Sequence, residues 1–403
     1  MARRPSRQLA LADFVRDGSF VPYFDHNATT PLTPAARAAW LRAADEAWQN
    51  PSSPYRGAAR VRVQLEQARE QLAQVLGCAP ERIVFNSGAT EGANAVMAHW
   101  ARRLAADRKI AVNPTEHPCV LEAAQHQFPA ERRIELPIDA GGVVRGEAVA
   151  ALLAAHPVGA VAVMAANNET GVLQPWTEIA ELCRRQRVAF LCDASQWLGK
   201  RAANGLGEAG WVIASAHKFG GPKGTGFLVL PAQAEGFHSL RGGEQERGHR
   251  GGTENYPAIT AMAAALIEAE TAHVPAAAGR QRWRDAFIAQ VQAVPPGARV
   301  VGAGAGRLWN TVSLLLPQGV NHRWVTKLDQ RGFQVSTGSA CATGQAGPSH
   351  VLATIGLDAV EAGRVIRISS GWETTEAEWR GLAAALAAVD TELRHGADRI
   401  VTA

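Results

Sequence analysis

The chain has 403 residues, which is long enough to bury a substantial core and to form two or three domains. Hydrophobic residues make up 47% and charged residues 19%, a composition typical of a soluble globular protein. The formal net charge is +4, but the 41 basic residues are mixed with 37 acidic ones and form no basic block, so nucleic acid is not an expected partner.

The first residues and the cysteines indicate a reducing compartment. Residues 1–20 have no apolar core of signal-peptide length, and no run of about 18 apolar residues predicts a membrane span. The five cysteines are widely spaced and form no C-x-x-C pair, which argues against a disulfide framework and a zinc site. We therefore expect a cytoplasmic protein with no bound metal and no membrane contact, in which residues 1–20 form a loose extension.

The first elements suggest a site for an anion. Helices are predicted at residues 33–48 and 58–76, the second ending at Gly77 as a C-cap. A buried strand at 83–85 is followed by a bend of small residues and a helix from Glu91 onward. A helix N-terminus after such a turn can direct backbone N–H groups at a phosphate. The turn matches no nucleotide-binding fingerprint, so an ordinary tight turn is the alternative.

Apolar segments then alternate with helical ones. Strands are predicted at 109–113, 160–166, 188–194 and 211–215, and helices from residue 118 and at 176–187. This alternation predicts an α/β fold with a mostly parallel sheet and helices on both faces. Such sheets bind ligands at the carboxyl ends of their strands. Four polar clusters fall there, at residues 115–117, 167–169, 193–196 and 215–218.

Lys218 is the leading candidate nucleophile. It follows the predicted strand at 211–215 and precedes a bend that contains Gly220, Gly221 and Gly224. Glycines permit positive φ or close approach of the backbone to a ligand. A buried lysine has a lowered pKa and becomes an amine that can form a Schiff base with an aldehyde cofactor. Without these surroundings, a lysine would be interpreted as a surface residue.

The pattern changes after a glycine-rich, charged loop at 241–255, which by itself would be a solvated surface loop. Strands are predicted at 310–316, 333–337 and 365–370, and helices near 321–331 and 375–394. We therefore expect a large domain over residues 30–273 and a smaller α+β domain over residues 1–29 and 274–403. The small domain would carry the loop with the last cysteine.

The cysteines differ in their surroundings. Small residues flank Cys341, which predicts a mobile, exposed thiol. Cys183 and Cys192 lie in apolar contexts and are expected in the core. Cys119 closely follows His117 and could line a site, but packing is the favoured interpretation.

Nine ordered motifs resemble one known family. They are YFDHNATTP, NSGATEGAN, TEHPCVL, NNETGVLQP, CDASQWLGK, ASAHKFGGPKGTG, HRGGTEN, STGSACATG and RVIRIS, and they cover about residues 23–370. Together they resemble the pyridoxal-phosphate-dependent cysteine desulfurases of the NifS and IscS kind, within the class V aminotransferases. The resemblance implies a pyridoxal-phosphate-dependent transferase of fold type I, with a mostly parallel seven-stranded sheet in the large domain and a smaller α+β domain. It also implies a homodimer with active sites at the subunit interface.

The resemblance also implies roles for individual residues. Lys218 would hold pyridoxal 5'-phosphate as a Schiff base, and Asp193 would pair with its pyridinium nitrogen. His117 would stack on the ring, and Gln196 would hydrogen-bond its phenolic oxygen. The phosphate would be held by Ala89, Thr90, Ser215 and His217, together with Thr253 from the partner chain.

Arg367 would bind the carboxylate of the substrate, with Asn168 assisting, because the planar guanidinium fits a carboxylate bidentately. A surface ion pair is the alternative, but Arg367 lies on the apolar strand VIRIS, where an unpaired charge is costly. The resemblance implies that L-cysteine is the substrate and that Cys341 attacks its sulfur. An enzyme persulfide and L-alanine would result, with His117 or another group of the site accepting the thiol proton.

A sulfur-acceptor protein would then take the persulfide sulfur. The residues after the thiol, 342–344, differ from those of better-known members, so the sequence specifies no acceptor. Two alternatives from other classes remain. One is a selenocysteine lyase or another pyridoxal-phosphate-dependent C–S lyase or aminotransferase, and the other is a non-catalytic sulfur-relay or scaffold subunit.

Overall fold

The computed structural model of the protein describes residues 21–294, 297–338 and 349–401, with side chains as far as residue 395. A seven-stranded sheet forms its centre. The strands are β1 (Ile83–Asn86), β2 (Lys109–Val112), β3 (Arg133–Glu135), β4 (Val158–Ala162), β5 (Ala189–Asp193), β6 (Trp211–Ser215) and β7 (Gly226–Val229). Their order is β1-β7-β6-β5-β4-β2-β3, in which only β7 runs antiparallel to its neighbours.

Helices cover both faces of this sheet. They are α1 (Pro34–Glu46), α2 (Arg56–Leu76), α3 (Ala89–Arg103), α4 (Pro118–Gln127), α5 (Gly146–Ala155), α6 (Trp176–Arg185) and α7 (Tyr256–Glu268). Successive strand residues alternate between two apolar cores: Phe190 and Cys192 of β5 pack with α1, α2, α6 and α7, whereas Leu191 packs with α3 and α4. Each large apolar side chain buried in this way contributes about 1.5–3 kcal/mol. The sequence prediction of an α/β fold with helices on both faces is confirmed.

A smaller antiparallel sheet lies towards the C-terminus, in the order β10-β9-β8. Its elements are α8 (Ala277–Ala293), β8 (Arg299–Val300), β9 (Thr311–Leu315), α9 (Asn321–Gln330), α10 (His350–Thr354), α11 (Ala359–Ala362), β10 (Val365–Ser369) and α12 (Glu376–Val401). Apolar side chains of β9 and β10 pack against α8, α9 and α12 around the buried Trp324. The strand predicted at 333–337 is wrong, because only single bridges form there, from Gln334 to Tyr23 and from Ser336 to Arg367.

The segment at residues 21–30 connects the two sheets. Tyr23 forms a backbone bridge to Gln334, and Asp25 forms one to Ser369 at the end of β10. On the other side, the side-chain amide of Asn27 donates to the backbone oxygen of Asn168 at 3.1 Å. The backbone N–H of Thr30 then donates to the carbonyl oxygen of residue 217 at the end of β6. An extended segment early in the chain therefore lies next to the strand ends of the large sheet.

No helix within residues 21–294, 297–338 and 349–401 is both long and apolar enough to span a bilayer. Over the same ranges, no three His, Cys, Asp or Glu side chains are grouped so that they could hold a metal ion.

Candidate active site

A cavity of about 210 Å³ opens at the carboxyl ends of β2, β4, β5 and β6. Each of the four predicted polar clusters contributes to its lining. The lining includes His117, Asn168, Asp193, Ser195, Gln196, Ser215, His217 and Lys218, together with Ala89 and Thr90 at the start of α3. The structure therefore brings together, around one cavity, nine of the residues that the sequence predicts for the site and adds Ser195 to them.

Lys218 lies in a short turn directly after β6, and its side chain points back towards the segment at 21–30. Nζ donates to the carbonyl oxygens of Asn27 at 2.7 Å and Ala28 at 2.8 Å. Burial, reinforced by the nearby Arg367 guanidinium, lowers the pKa of the Lys218 ammonium to about 8. About a tenth of Lys218 is therefore neutral amine, the nucleophilic form, at pH 7, and about half at pH 8.

The turn between β1 and α3 packs against the end of β6. The backbone N–H of Ala89 donates to Oγ of Ser215 at 2.8 Å, so the hydroxyl proton of Ser215 remains free to donate into the cavity. Gly88 has φ +139°, and a Cβ there would lie 2.9 Å from the same oxygen. This close approach places the N-terminus of α3 beside Ser215, an arrangement suited to an anion.

His217 lies at the same end of the cavity. Its Nδ1 lies 3.1 Å from Oγ1 of Thr29. Burial and the neighbouring Lys218 lower the pKa of the imidazole to about 4, so His217 is neutral at physiological pH.

His117 is the N-cap of α4, and this position fixes its tautomer. Its Nδ1 accepts the backbone N–H of Cys119 at 3.2 Å, and burial lowers the pKa of the imidazole. A neutral imidazole whose Nδ1 accepts a hydrogen bond carries its proton on Nε2. His117 therefore faces the cavity as a ring with a donor at Nε2.

Cys119 packs in the core under α3 and α4, as favoured from the sequence, and also lines the cavity. Burial and the nearby Asp193 raise the pKa of this thiol, which keeps it un-ionised. Cys183 and Cys192 are buried in the core as predicted. Cys341 lies outside the described residues.

Asp193 ends β5 at the base of the cavity, where its Oδ1 accepts the backbone N–H of Ser195 at 2.8 Å. The hydroxyl of Ser195 is buried and lacks a hydrogen-bond partner within the described part of the chain, yet it lines the cavity. Behind this wall, burial and the proximity of Asp193 raise the pKa of the Glu116 carboxyl well above its ordinary value. Asp193 is therefore the carboxylate that the cavity itself presents.

Arg367 lies on β10, with only 4% of its surface exposed. Its Nη2 pairs with Oδ1 of Asp25 at 2.6 Å, and its Nη1 donates to the carbonyl oxygens of Asn168 and Gly338. Nε has no hydrogen-bond partner among the described residues. The guanidinium is thus held beside Asn168, but Arg367 is set back from the cavity lining.

Thr253 lies apart from this cavity. It lines a second one, of about 170 Å³, together with Asn86, Ser87 and Arg250. Within a single chain, Thr253 is therefore not assembled with the other predicted phosphate ligands.

Several contributors were not predicted from the sequence. The carbonyl oxygens of Asn27 and Ala28 hold the Lys218 amine, and Asp25 pairs with Arg367. All three belong to the motif YFDHNATTP, which was the only signal that could have identified them. Lys200, which contacts Gln196 and the carbonyl oxygen of residue 218, was also missed, although it is the last residue of the motif CDASQWLGK.

Comparison with known proteins gives a consistent result. The sequence matches the aminotransferase class-V family over residues 22–381. It is 36% identical to a cysteine desulfurase of Klebsiella pneumoniae over 92% of this chain and 93% of that protein. It is 37% identical to a cysteine desulfurase of Cereibacter sphaeroides over 92% of this chain and 96% of that protein.

Solved structures agree with the sequence comparison. A NifS-like protein superposes with a TM-score of 0.85 at 29% identity, covering 92% of this chain and all of that one. The structure of SspA in complex with cysteine superposes with a TM-score of 0.75 at 27% identity, covering 87% and 98%. The resemblance inferred from the motifs and the fold type that it implied are both confirmed. The chain therefore belongs to the aminotransferase class-V family and is related, over most of its length, to the cysteine desulfurases within it.

Proposed function

We propose that this protein is a cysteine desulfurase that uses pyridoxal 5'-phosphate to take sulfur from L-cysteine. The products are L-alanine and a persulfide on Cys341, from which an acceptor protein takes the sulfur. One observation carries the proposal: the Lys218 amine, with its lowered pKa, shares a cavity with the carboxylate of Asp193 and the ring of His117. Relatives named as cysteine desulfurases supply the choice of substrate.

The cavity fits this cofactor at both of its polar ends. The carboxylate of Asp193 suits a protonated ring nitrogen. At the other end, the hydroxyl of Ser215 and the N-terminus of α3 suit a phosphate, joined by Thr90 and His217. The unpaired hydroxyl of Ser195 indicates that the cavity is polar and built for an occupant that supplies a hydrogen-bond partner.

The residues of the chain then have distinct tasks. When bound, the cofactor supplies an electron sink for the bonds that break at the substrate. The Lys218 amine accepts and returns a proton at its Nζ, because its lowered pKa allows both states near neutrality. His117 presents its ring face and its Nε2 proton. Arg367, with Nε unpaired and Asn168 alongside, offers the cation for the carboxylate of the substrate.

The sulfur step requires a thiolate, which we assign to Cys341. Its sulfur attacks the substrate sulfur, so that an S–S bond forms while the Cβ–S bond of the substrate breaks. The electron pair of the broken bond stays on carbon, which is protonated and leaves as alanine. The persulfide sulfur is thereby at the oxidation level required for transfer to a thiol of the acceptor.

A homodimer also belongs to the proposal. Large apolar side chains are exposed along residues 32–63, on and around α1 and α2. They are Leu32, Leu41, Trp48, Tyr55 and Val63, with exposures of 38% to 71%. Patches of this kind mark interfaces. We expect the second copy to supply its Thr253 to the phosphate end of the first, because Thr253 lies outside the cavity of its own chain. The free thiols of Cys78, Cys119, Cys183 and Cys192 are compatible with a reducing cytoplasm.

The deciding experiment compares two variants with the wild type. Purified protein incubated with pyridoxal phosphate should turn yellow, and borohydride should fix the cofactor covalently unless Lys218→Ala removes the amine. Cys341→Ala should keep the colour but lose at least about a hundredfold of the cysteine-dependent persulfide, since the nucleophile is gone. Cys78→Ala removes another free thiol and is the matched control. A colourless wild type, or undiminished persulfide formation by Cys341→Ala, would contradict the proposal.

A further inference from the structure

Lys200 is a buried cation with no role in the chemistry described so far. Only 4% of its surface is exposed, and no carboxylate of the described residues lies within ion-pair distance of its Nζ. Burial without a counter-charge is costly. It also lowers the pKa of the Lys200 ammonium to about 7, with the charge of Lys218 as a second cause. A side chain retained at such a cost is a candidate for a specific task.

The hydrogen bonds of Lys200 lead to two residues of the active site. Its Nζ donates to Oε1 of Gln196 at 3.1 Å and to the main-chain oxygen of Lys218 at 3.3 Å. Its own backbone is held from the other side, because Nε1 of Trp309 donates to its carbonyl oxygen at 3.0 Å. Lys200 therefore links the turn that follows β5 to the turn that follows β6, directly behind the cavity.

This arrangement fixes the orientation of the Gln196 amide. The main-chain oxygen of Asn27 lies 2.9 Å from the side-chain amide of Gln196. Because a carbonyl oxygen can only accept a hydrogen bond, the amide atom that faces it must be the nitrogen Nε2. The Lys200 amine donates and therefore takes the amide oxygen. One hydrogen of Nε2 is used by Asn27, and the second remains for the cavity that Gln196 lines.

We propose that Lys200 is a positioning residue that holds the Gln196 amide oxygen, so that the free Nε2–H points at the phenolic oxygen of pyridoxal phosphate. The inference rests on the proposed function, since it requires that cofactor in the cavity. A donor at this position stabilises the form in which the phenolic oxygen is fully ionised. It therefore lowers the pH at which the bound cofactor changes colour.

The test is a spectroscopic double-mutant cycle on the cofactor-loaded protein. Lys200→Met keeps the length of the side chain and removes the donor, and Gln196→Ala removes the amide. Each single variant should raise the midpoint of the absorbance change with pH by about one unit, the equivalent of one moderate hydrogen bond. If Lys200 acts through Gln196, the double variant should shift the midpoint no further than Gln196→Ala alone.

Lys200→Gln provides a second measurement if the methionine variant folds poorly, because its side-chain amide can still donate to Gln196. This variant should titrate within about 0.3 units of the wild type. Two results would overturn the proposal. One is a double variant in which the shifts of the two single variants add. The other is a Lys200→Met protein that loses thermal stability while its colour changes at the same pH as in the wild type. If the proposed function itself is wrong, the wild type would gain no visible absorbance with pyridoxal phosphate, before any variant is compared.

Discussion

Burial changes what a lysine can do, and Lys218 illustrates this at the scale of single residues. Its two hydrogen bonds to the carbonyl oxygens of Asn27 and Ala28 hold the amine in place without a full counter-charge. Removal from water then disfavours the ammonium form and lowers its pKa to about 8, from an ordinary value of 10.5. Burial of Lys218 therefore increases the population of the neutral amine, which is the nucleophilic form.

We predict that this shift sets the pH dependence of cofactor capture. The rate at which apoprotein gains visible absorbance after addition of pyridoxal phosphate should rise with pH and level off above about 8, because the lowered pKa of Lys218 leaves the amine neutral there. An unburied lysine would still become more reactive up to pH 10. A rate that keeps rising between pH 9 and 10 would therefore show that Lys218 has its ordinary pKa.

A second prediction concerns the tautomer of His117. Because Nδ1 accepts the N–H of Cys119, the ring presents a donor and not a base to the cavity. Glutamine can accept the same N–H and still donate, so His117→Gln should form alanine within about tenfold of the wild-type rate, whereas loss of a general base would cost about a hundredfold to ten-thousandfold.

His117→Ala, which lacks both functions, is the comparison for this measurement and should be much slower than the glutamine variant. Equal, large losses in the two variants, together with a pH profile that loses one ionisation, would indicate that His117 does act as a base.

The sequence could predict side chains of the site better than the groups that hold them. Lys218, Asp193 and Asn168 stand out because polar residues after apolar strands are unusual, and the rule for the ends of parallel strands collects them at one edge. The carbonyl oxygens of Asn27 and Ala28 carry no such signal, since every residue has one. The role of Lys200 depends on burial, which a sequence does not display.

At the scale of elements, the turn between β1 and α3 positions the end of the cavity at which we propose that a phosphate binds. Gly88 has φ +139° and ψ −179°, a conformation that residues with a Cβ avoid, and its Cα packs close to the hydroxyl of Ser215. The strands and helices with clear apolar periodicity were predicted well. The edge strand β3 and the antiparallel β7 were not predicted, because β3 has a single apolar residue and β7 directly follows the glycine-rich bend that was interpreted as a ligand loop.

Gly88→Ala should weaken cofactor binding by at least about tenfold, since relieving the strain and the contact with Ser215 moves the N-terminus of α3. The measurement is titration of apoprotein with pyridoxal phosphate, with calorimetry for stability. Gly332→Ala is the matched control, because Gly332 also has positive φ but a Cβ there would have no atom within 4 Å. Both variants should melt earlier, and only Gly88→Ala should bind the cofactor less tightly. If Gly88→Ala and Gly332→Ala bind pyridoxal phosphate with equal affinity, the turn does not contribute to phosphate binding.

At the scale of the whole molecule, the proposed dimer would cover the exposed apolar side chains along residues 32–63. Trp48 follows α1 and is 71% exposed in the single chain. A tryptophan in the centre of an interface commonly contributes 2 kcal/mol or more to association. The dimer could be expected from the sequence only through the family resemblance, because an exposed tryptophan has no distinctive pattern along the chain.

We predict that the wild type sediments at twice the chain mass of 42.8 kDa and that Trp48→Glu raises the dimer dissociation constant at least about thirtyfold. Val360→Glu is the control, because Val360 is equally exposed but lies on α11, far along the chain from residues 32–63. Sedimentation over a concentration series gives both constants. A monomeric wild type, or a Trp48→Glu protein that associates like the wild type, would refute the interface.

The segment at residues 21–30 has a consequence for how the protein is made. Asp25 pairs with Arg367 across 342 positions of the chain, and Asn27 reaches both sheets. Contacts so far apart in sequence form slowly, because a very long loop must close first. The full set of contacts that positions the carbonyl oxygens of Asn27 and Ala28 can therefore form only after nearly the entire polypeptide has left the ribosome. During synthesis, the central sheet would thus fold first and the surroundings of the Lys218 amine would be completed last. The nascent chain would therefore gain an amine that is positioned to react with an aldehyde only late in synthesis.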